Sequence, residues 1–172
     1  MKNEHQLLFI TCSWNLEEDG KTAPNNYACL LSEYFSKDFS KCQPAFSIQI
    51  LQAVASEFLS NQLYEEMDKS TIGLILMTRD IEGKDGKFYC KPNVYHELGY
   101  LMKHVGKEKL IIFREKDVFV PSNIQDIIRI EFDIDKMPLR FLDVVSRISE
   151  ITDLDEEIFI RCMGNHIKDW IN

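Results

Sequence analysis

The sequence lacks the local motifs that identify many enzyme classes. Its seven glycines form neither a GxGxxG nor a Walker pattern, so it contains no Gly-rich phosphate loop. The five cysteines are scattered and include no CxxC pair, which is typical of buried, reduced thiols in a cytosolic protein. Internal repeats, low-complexity tracts and the motifs of Ser-His-Asp or Cys-His triads are also absent. Any active site must therefore be assembled from residues that carry no standard signature.

Positive charge is also scarce, because the 172 residues carry a net charge of −8. An acidic surface argues against a nucleic-acid partner, which clustered Lys and Arg would have to bind, but it leaves room for a small nucleotide. The apolar run Leu7–Ile10 is too short for a signal peptide or a membrane span. We therefore expect a cytoplasmic protein with a small-molecule nucleotide as its partner, and neither nucleic acid nor membrane.

Short apolar runs alternate with segments of helical periodicity along the whole chain. They predict strands at 7–11, 46–51, 71–77, 109–113 and 127–132, and helices at 27–39, 54–69, 94–105, 139–149 and 156–171. The segments 13–25 and 81–92 are polar and contain glycine, so loops are predicted there. This alternation predicts an α/β flavodoxin-like three-layer sandwich with about five mainly parallel strands and helices on both faces. Residues 1–135 would form the domain, and the helices of 136–172 would pack on it.

Polar residues follow the first and third predicted strands. Ser13 and Trp14 come after the first strand, and Thr78, Arg79 and Asp80 come after the third. In a flavodoxin-like sheet ligands bind at the carboxyl ends of the strands, where these two strands lie side by side. Trp14 could stack on a base or pack as a lid. Arg79 could meet phosphates and Asp80 a ribose hydroxyl, or the two could pair with each other.

A second cluster surrounds Glu97 in the segment KPNVYHELGY at 91–100. Asn93 is suited to cap the following helix, which would place Glu97 about one turn in, only partly exposed and near the positive end of the helix dipole. A carboxylate there can accept ribose hydrogen bonds and stabilise positive charge at an anomeric carbon. The plainer interpretation is a solvated, dipole-matched glutamate. Lys91 could contact a phosphate or remain solvated, and His96 should point about 100° away from Glu97.

Four segments together resemble a known family: TIGLILMTRD at 71–80, KPNVYHELGYL at 91–101, GKEKLIIF at 106–113 and VPSNIQDIIRIE at 120–131. They are similar to the bacterial TIR-like nucleotide-binding family, whose TIR group acts as effectors in anti-phage signalling. The resemblance implies a TIR fold and hydrolysis of NAD+ at the nicotinamide–ribose bond, with Glu97 as the catalytic glutamate. It also implies that no metal is needed and that NAD+ is the substrate and not a recycled cofactor.

Two further questions stay open at this level. The apolar faces of the C-terminal helices either pack on the sheet or mediate self-association, and the resemblance implies a homo-oligomer or filament, with a separate sensor protein as a further partner. The alternative functions are a nucleoside deoxyribosyltransferase-like enzyme and a non-catalytic TIR adaptor or nucleotide-sensing module. The catalytic interpretation requires the Glu97 carboxyl group to lie near Ser13 and Asp80, and not in the core or in open solvent.

Overall fold

The computed structural model describes residues 5–16, 22–24, 26–36, 46–50, 59–155, 157 and 161. The strands are β1 (Gln6–Thr11), β2 (Trp14–Leu16), β3 (Thr22–Pro24), β4 (Phe46–Gln49), β5 (Ile72–Met77), β6 (Ile81–Glu82), β7 (Phe88–Tyr89), β8 (Leu110–Glu115) and β9 (Ile128–Phe132). The α-helices are α1 (Asn26–Tyr34), α2 (Leu59–Lys69), α3 (Pro92–His104) and α4 (Met137–Thr152).

The central sheet has five parallel strands in the order β4-β1-β5-β8-β9. The strand β1 therefore lies between β4 and β5, which are the next two strands of this sheet along the chain. This is the flavodoxin-like arrangement, with a switch point between β1 and β5. Thr11 pairs with Ile75 near the carboxyl ends of these two strands. The predicted α/β fold is confirmed, and the residues that follow β1 and β5 share one edge of the sheet.

The sheet is covered on both faces, which explains why its central strands are apolar at nearly every position. All six residues of β5 are buried. One core cluster packs under α1 and α4 and includes Leu31, Phe35, Phe141 and Val144. The other packs under α2 and α3 and includes Met67, Val94, Leu98 and Leu101. These two cores give the three-layer sandwich.

Both segments predicted as loops contain short antiparallel pairs, and this is a correction to the sequence-based expectation. Within 13–25, β2 pairs with β3, and within 81–92, β6 pairs with β7. Turn residues are visible in sequence, whereas the pairing of two- and three-residue strands depends on the surface beneath them. The second pair is anchored to the main sheet region, because Phe88 bridges to Val118.

The last described helix, α4, is longer than predicted and ends where Asp153 adopts a left-handed φ of 55°. The helix predicted at 156–171 lies almost entirely outside the described residues. No helix in the described part of the chain combines the length and the apolar character needed to cross a membrane.

Candidate active site

Asp80 joins three segments at the carboxyl edge of the sheet. Its Oδ2 accepts hydrogen bonds from the Ser13 hydroxyl and, at 3.0 Å, from the backbone N–H of Lys91, and its Oδ1 accepts from Thr78 Oγ1 at 2.8 Å. The ends of β1 and β5 and the start of α3 are thereby held together. The proximity of Ser13 and Asp80 is as predicted. Both oxygens of Asp80 already have protein donors, so the predicted contact to a ribose hydroxyl would have to share them.

The start of α3 corrects the prediction for Asn93. The helix begins at Pro92, and its N-cap is Lys91 in extended conformation, with no side-chain cap. Proline favours the first helical position and forces an extended conformation on the residue before it, so the sequence KPN places the cap at Lys91. Asn93 lies inside the first turn, and its side chain is available for another contact.

That contact is to Glu97, one helical turn further on. Asn93 Nδ2 donates to Glu97 Oε1 at 3.3 Å and to the backbone oxygen of Cys12 at 3.1 Å. Glu97 is only 5% exposed, so it is more deeply buried than the sequence predicted. Its carboxyl group nevertheless lies at the end of β1, next to the segment that carries Ser13, and not in open solvent.

Burial raises the pKa of Glu97 from 4.5 to about 7, and the hydrogen bond from Asn93 and the nearby Thr11 hydroxyl oppose that rise. Thr11 is fully buried, and its Oγ1 lies close to the carboxyl group without meeting full hydrogen-bond geometry to any described residue. No charged side chain of the described residues contributes to the shift. The site therefore holds a carboxyl group poised between its two protonation states at neutral pH.

Arg79 turns away from Asp80, so the alternative in which these two side chains pair is wrong. Its backbone N–H donates to the buried Glu115 at 2.8 Å, its Nε donates to the Lys116 carbonyl at 2.7 Å, and its Nη2 lies 3.1 Å from Asp117 Oδ2. The guanidinium also stacks 5.1 Å from the ring centroid of Phe88. These contacts link the ends of β5 and β8. The role of Arg79 in binding phosphates stays a prediction. A bound phosphate would have to share the guanidinium with these hydrogen bonds.

Lys91 and Trp14 also lie at the carboxyl edge of the sheet. Lys91 Nζ donates to the Trp14 backbone oxygen, which ties the start of α3 to β2. Trp14 is half-buried and packs against the core cluster under α3. His96 is exposed and contacts Tyr64 OH at 3.2 Å, so it forms no dyad with Glu97, as predicted. The structure thus brings the Ser13, Asp80 and Glu97 groups to one edge, and it gives Lys91 and Trp14 structural contacts there.

The sequence analysis missed Thr11 and Glu115. Thr11 carries a detectable signal, because it is the polar residue at the end of a buried strand and alternation turns it to the opposite face from Ile10. Glu115 carries a similar signal at the end of β8. Neither signal identifies the partner of the side chain, which is Glu97 in α3 for Thr11 and Arg79 in the segment after β5 for Glu115.

The described residues contain no cluster of three or more His, Cys, Asp and Glu side chains that could hold a metal. Cys90 is buried beside this edge, and burial raises its thiol pKa to about 11, so it is a poor nucleophile. Catalysis that is independent of metal remains a prediction.

No curated protein matches the sequence of this chain. A solved structure with a similar course of the chain is the CMP N-glycosidase BcmB of Clostridium botulinum, with 9% identity and a TM-score of 0.47 over 81% of this chain and 99% of that one. The family model described as "CAP12/Pycsar effector protein, TIR domain" matches residues 31–134, which is more than half of the chain and includes Asp80, Asn93 and Glu97. The protein therefore belongs to the TIR-domain family of CAP12/Pycsar effector proteins.

Proposed function

We propose that the protein is an NAD+ nucleosidase that cleaves the nicotinamide–ribose bond, acting as a bacterial anti-phage or cell-death effector. The observation that carries the proposal is the buried carboxyl group of Glu97, which is held at the carboxyl edge of the sheet beside the switch point of β1 and β5. Membership in the family of TIR effector domains supports the same substrate.

The chemistry of the bond explains why a single carboxylate suffices. When the bond between C1′ and the pyridinium nitrogen breaks, its electron pair leaves with nicotinamide, which becomes neutral and needs no proton. Positive charge develops at C1′ and the ring oxygen, and a carboxylate in a dry site stabilises it strongly. Water then adds to C1′ and releases one proton, so the products are nicotinamide, ADP-ribose and H+.

A neutral base such as cytosine or adenine is a poorer fit. It leaves as an anion unless an acid protonates it, which normally takes a second carboxyl group beside the first. In the described part of the site the second carboxyl group is Asp80, and both of its oxygens accept protein hydrogen bonds. This arrangement favours a substrate whose leaving group already carries the positive charge.

The test is incubation of the purified protein at high concentration with NAD+, with release of nicotinamide followed by chromatography. Wild type should release nicotinamide, Glu97→Gln should lose at least about 100-fold of the rate, and His96→Gln should keep it. His96 is the matched control because it is adjacent in sequence but exposed and paired with Tyr64. Base exchange between deoxynucleosides would instead support the deoxyribosyltransferase-like alternative. Nucleotide binding without either reaction would support a non-catalytic module.

The pH profile offers a second test of the same role. Because the carboxylate is the active form, kcat/KM should fall as the pH drops through the pKa of Glu97, at about 7 in the free enzyme. A profile that stays flat down to about pH 5 would contradict the assignment of this carboxylate.

A further inference from the structure

Asn93 contacts both the candidate catalytic carboxyl group and the chain that leaves the neighbouring strand β1. Its amide nitrogen lies 3.1 Å from the Cys12 carbonyl oxygen and 3.3 Å from Glu97 Oε1. Both partners are acceptors when Glu97 is ionised, so both amide hydrogens are used and the orientation of the amide group is fixed.

A glutamate side chain has three rotatable bonds, and a hydrogen bond from a fixed donor limits the directions that its carboxyl group can take. On one side the Glu97 carboxyl group is tied through Asn93 to a backbone atom of the chain that leaves β1. The backbone at Cys12 is itself constrained, because the next residue, Ser13, donates to Asp80. The direction of the carboxyl group is therefore set by the sheet edge and not only by its own helix.

We propose that Asn93 is a positioning residue, which ties Oε1 of Glu97 to the end of β1 and thereby sets the direction in which the carboxyl group meets the substrate. The catalytic consequence rests on the proposed function, whereas the tie itself does not. Among the described residues, the charged side chains at this edge include Arg79, Asp80, Lys91 and Glu115. None of them contributes to the pKa of Glu97, which responds to burial, Asn93 and Thr11. The pKa of Glu97 should therefore respond directly to removal of the Asn93 amide.

The experiment compares wild type with Asn93→Ala, and with His96→Ala as control, using protein labelled with ¹³C at the glutamate carboxyl carbons. The Glu97 resonance is identified by its loss in Glu97→Gln. In Asn93→Ala the midpoint of its titration should rise by about one pH unit, because a hydrogen bond to the ionised form is lost. His96→Ala should leave the midpoint unchanged.

Kinetics with NAD+ should show the positioning directly. Asn93→Ala should lower kcat by about 10- to 100-fold with KM changed by less than about 3-fold, since the reacting group is misplaced and the substrate contacts remain. The pH at which kcat/KM falls on the acid side should rise together with the titration midpoint. A residue that only supports folding would change neither the midpoint nor this pH.

Asn93→Asp covers the case in which Asn93→Ala does not fold. It keeps the size and polarity of the side chain but places a second carboxyl group beside Glu97, so the titration midpoint should move upwards even further. If a folded variant retains the midpoint and kcat of wild type, the inference is overturned. If wild type releases no nicotinamide but the midpoints move as stated, the proposed function fails while the tie between Asn93 and Glu97 stands.

Discussion

Burial of Glu97 should make the stability of the protein depend on pH in an unusual direction. The pKa of Glu97 rises from 4.5 to about 7 because the residue is buried, with 5% of its surface exposed, so the folded state binds a proton that the unfolded state has released. Between these two values the free energy of unfolding falls by about 1.4 kcal/mol per pH unit, in total about 3 kcal/mol. The loss is complete above about pH 7, and it is absent below about pH 4.5.

Glu97→Gln removes this titration and keeps an oxygen to accept from Asn93. The variant should therefore be more stable relative to wild type at about pH 8 than at about pH 5, by about 3 kcal/mol. Urea unfolding at several pH values measures the difference, in which the titration of all other groups cancels. Glu82→Gln, at an exposed position in β6, is the matched control and should show no such trend. A Glu97→Gln difference that stays constant with pH would refute the burial argument.

Substitution of two glycines by alanine should change the stability of the protein in opposite directions, and one cysteine should resist modification by a thiol reagent. Gly99→Ala should stabilise the protein by about 0.5–1 kcal/mol in thermal or urea unfolding, because a Cβ there meets nothing within 4 Å and alanine is the better helix former. Gly73→Ala should cost about 1–3 kcal/mol, since its Cβ would lie 2.5 Å from Cδ2 of the fully buried Leu110; equal effects would contradict the packing at β5. At about pH 8 a thiol reagent should modify the exposed Cys29 well before the buried Cys90, whose thiol pKa is raised to about 11, and early loss of Cys90 would show that this edge opens.

The arrangement of Asp80 explains how a site without a phosphate loop can still be rigid. One carboxylate accepts hydrogen bonds from the segment after β1, from the residue that follows β5 and from the start of α3. Lys91 adds a second tie, from its side chain to the Trp14 carbonyl. Rigid support of this kind keeps a catalytic group within the narrow geometry that effective catalysis demands.

The sequence by itself determined the layers of the fold and the edge at which the site forms. Short apolar runs such as 71–77, bounded by polar residues, indicate buried strands, and the helical stripe of Val94, Leu98 and Leu101 indicates which face of α3 meets the sheet. These are local, periodic signals, and they depend only on the burial of apolar surface. The identity of Glu97 as the central candidate followed from its place near the start of that helix and from the family resemblance.

Only the tertiary structure decided which side chains meet. The local sequence KPN already places the helix cap at Lys91, but packing decided that the Asn93 amide reaches the carbonyl group of Cys12, 81 residues earlier in the chain. The guanidinium of Arg79, whose contact with phosphates stays a prediction, bonds to the segment after β8. A hydrogen bond is directional and satisfies whichever acceptor lies within about 3 Å, and that acceptor is set by the packing of distant segments and not by neighbours in sequence. The sequence therefore placed the carboxyl group of Glu97 at the right edge, and packing determined its burial, its partners and its pKa.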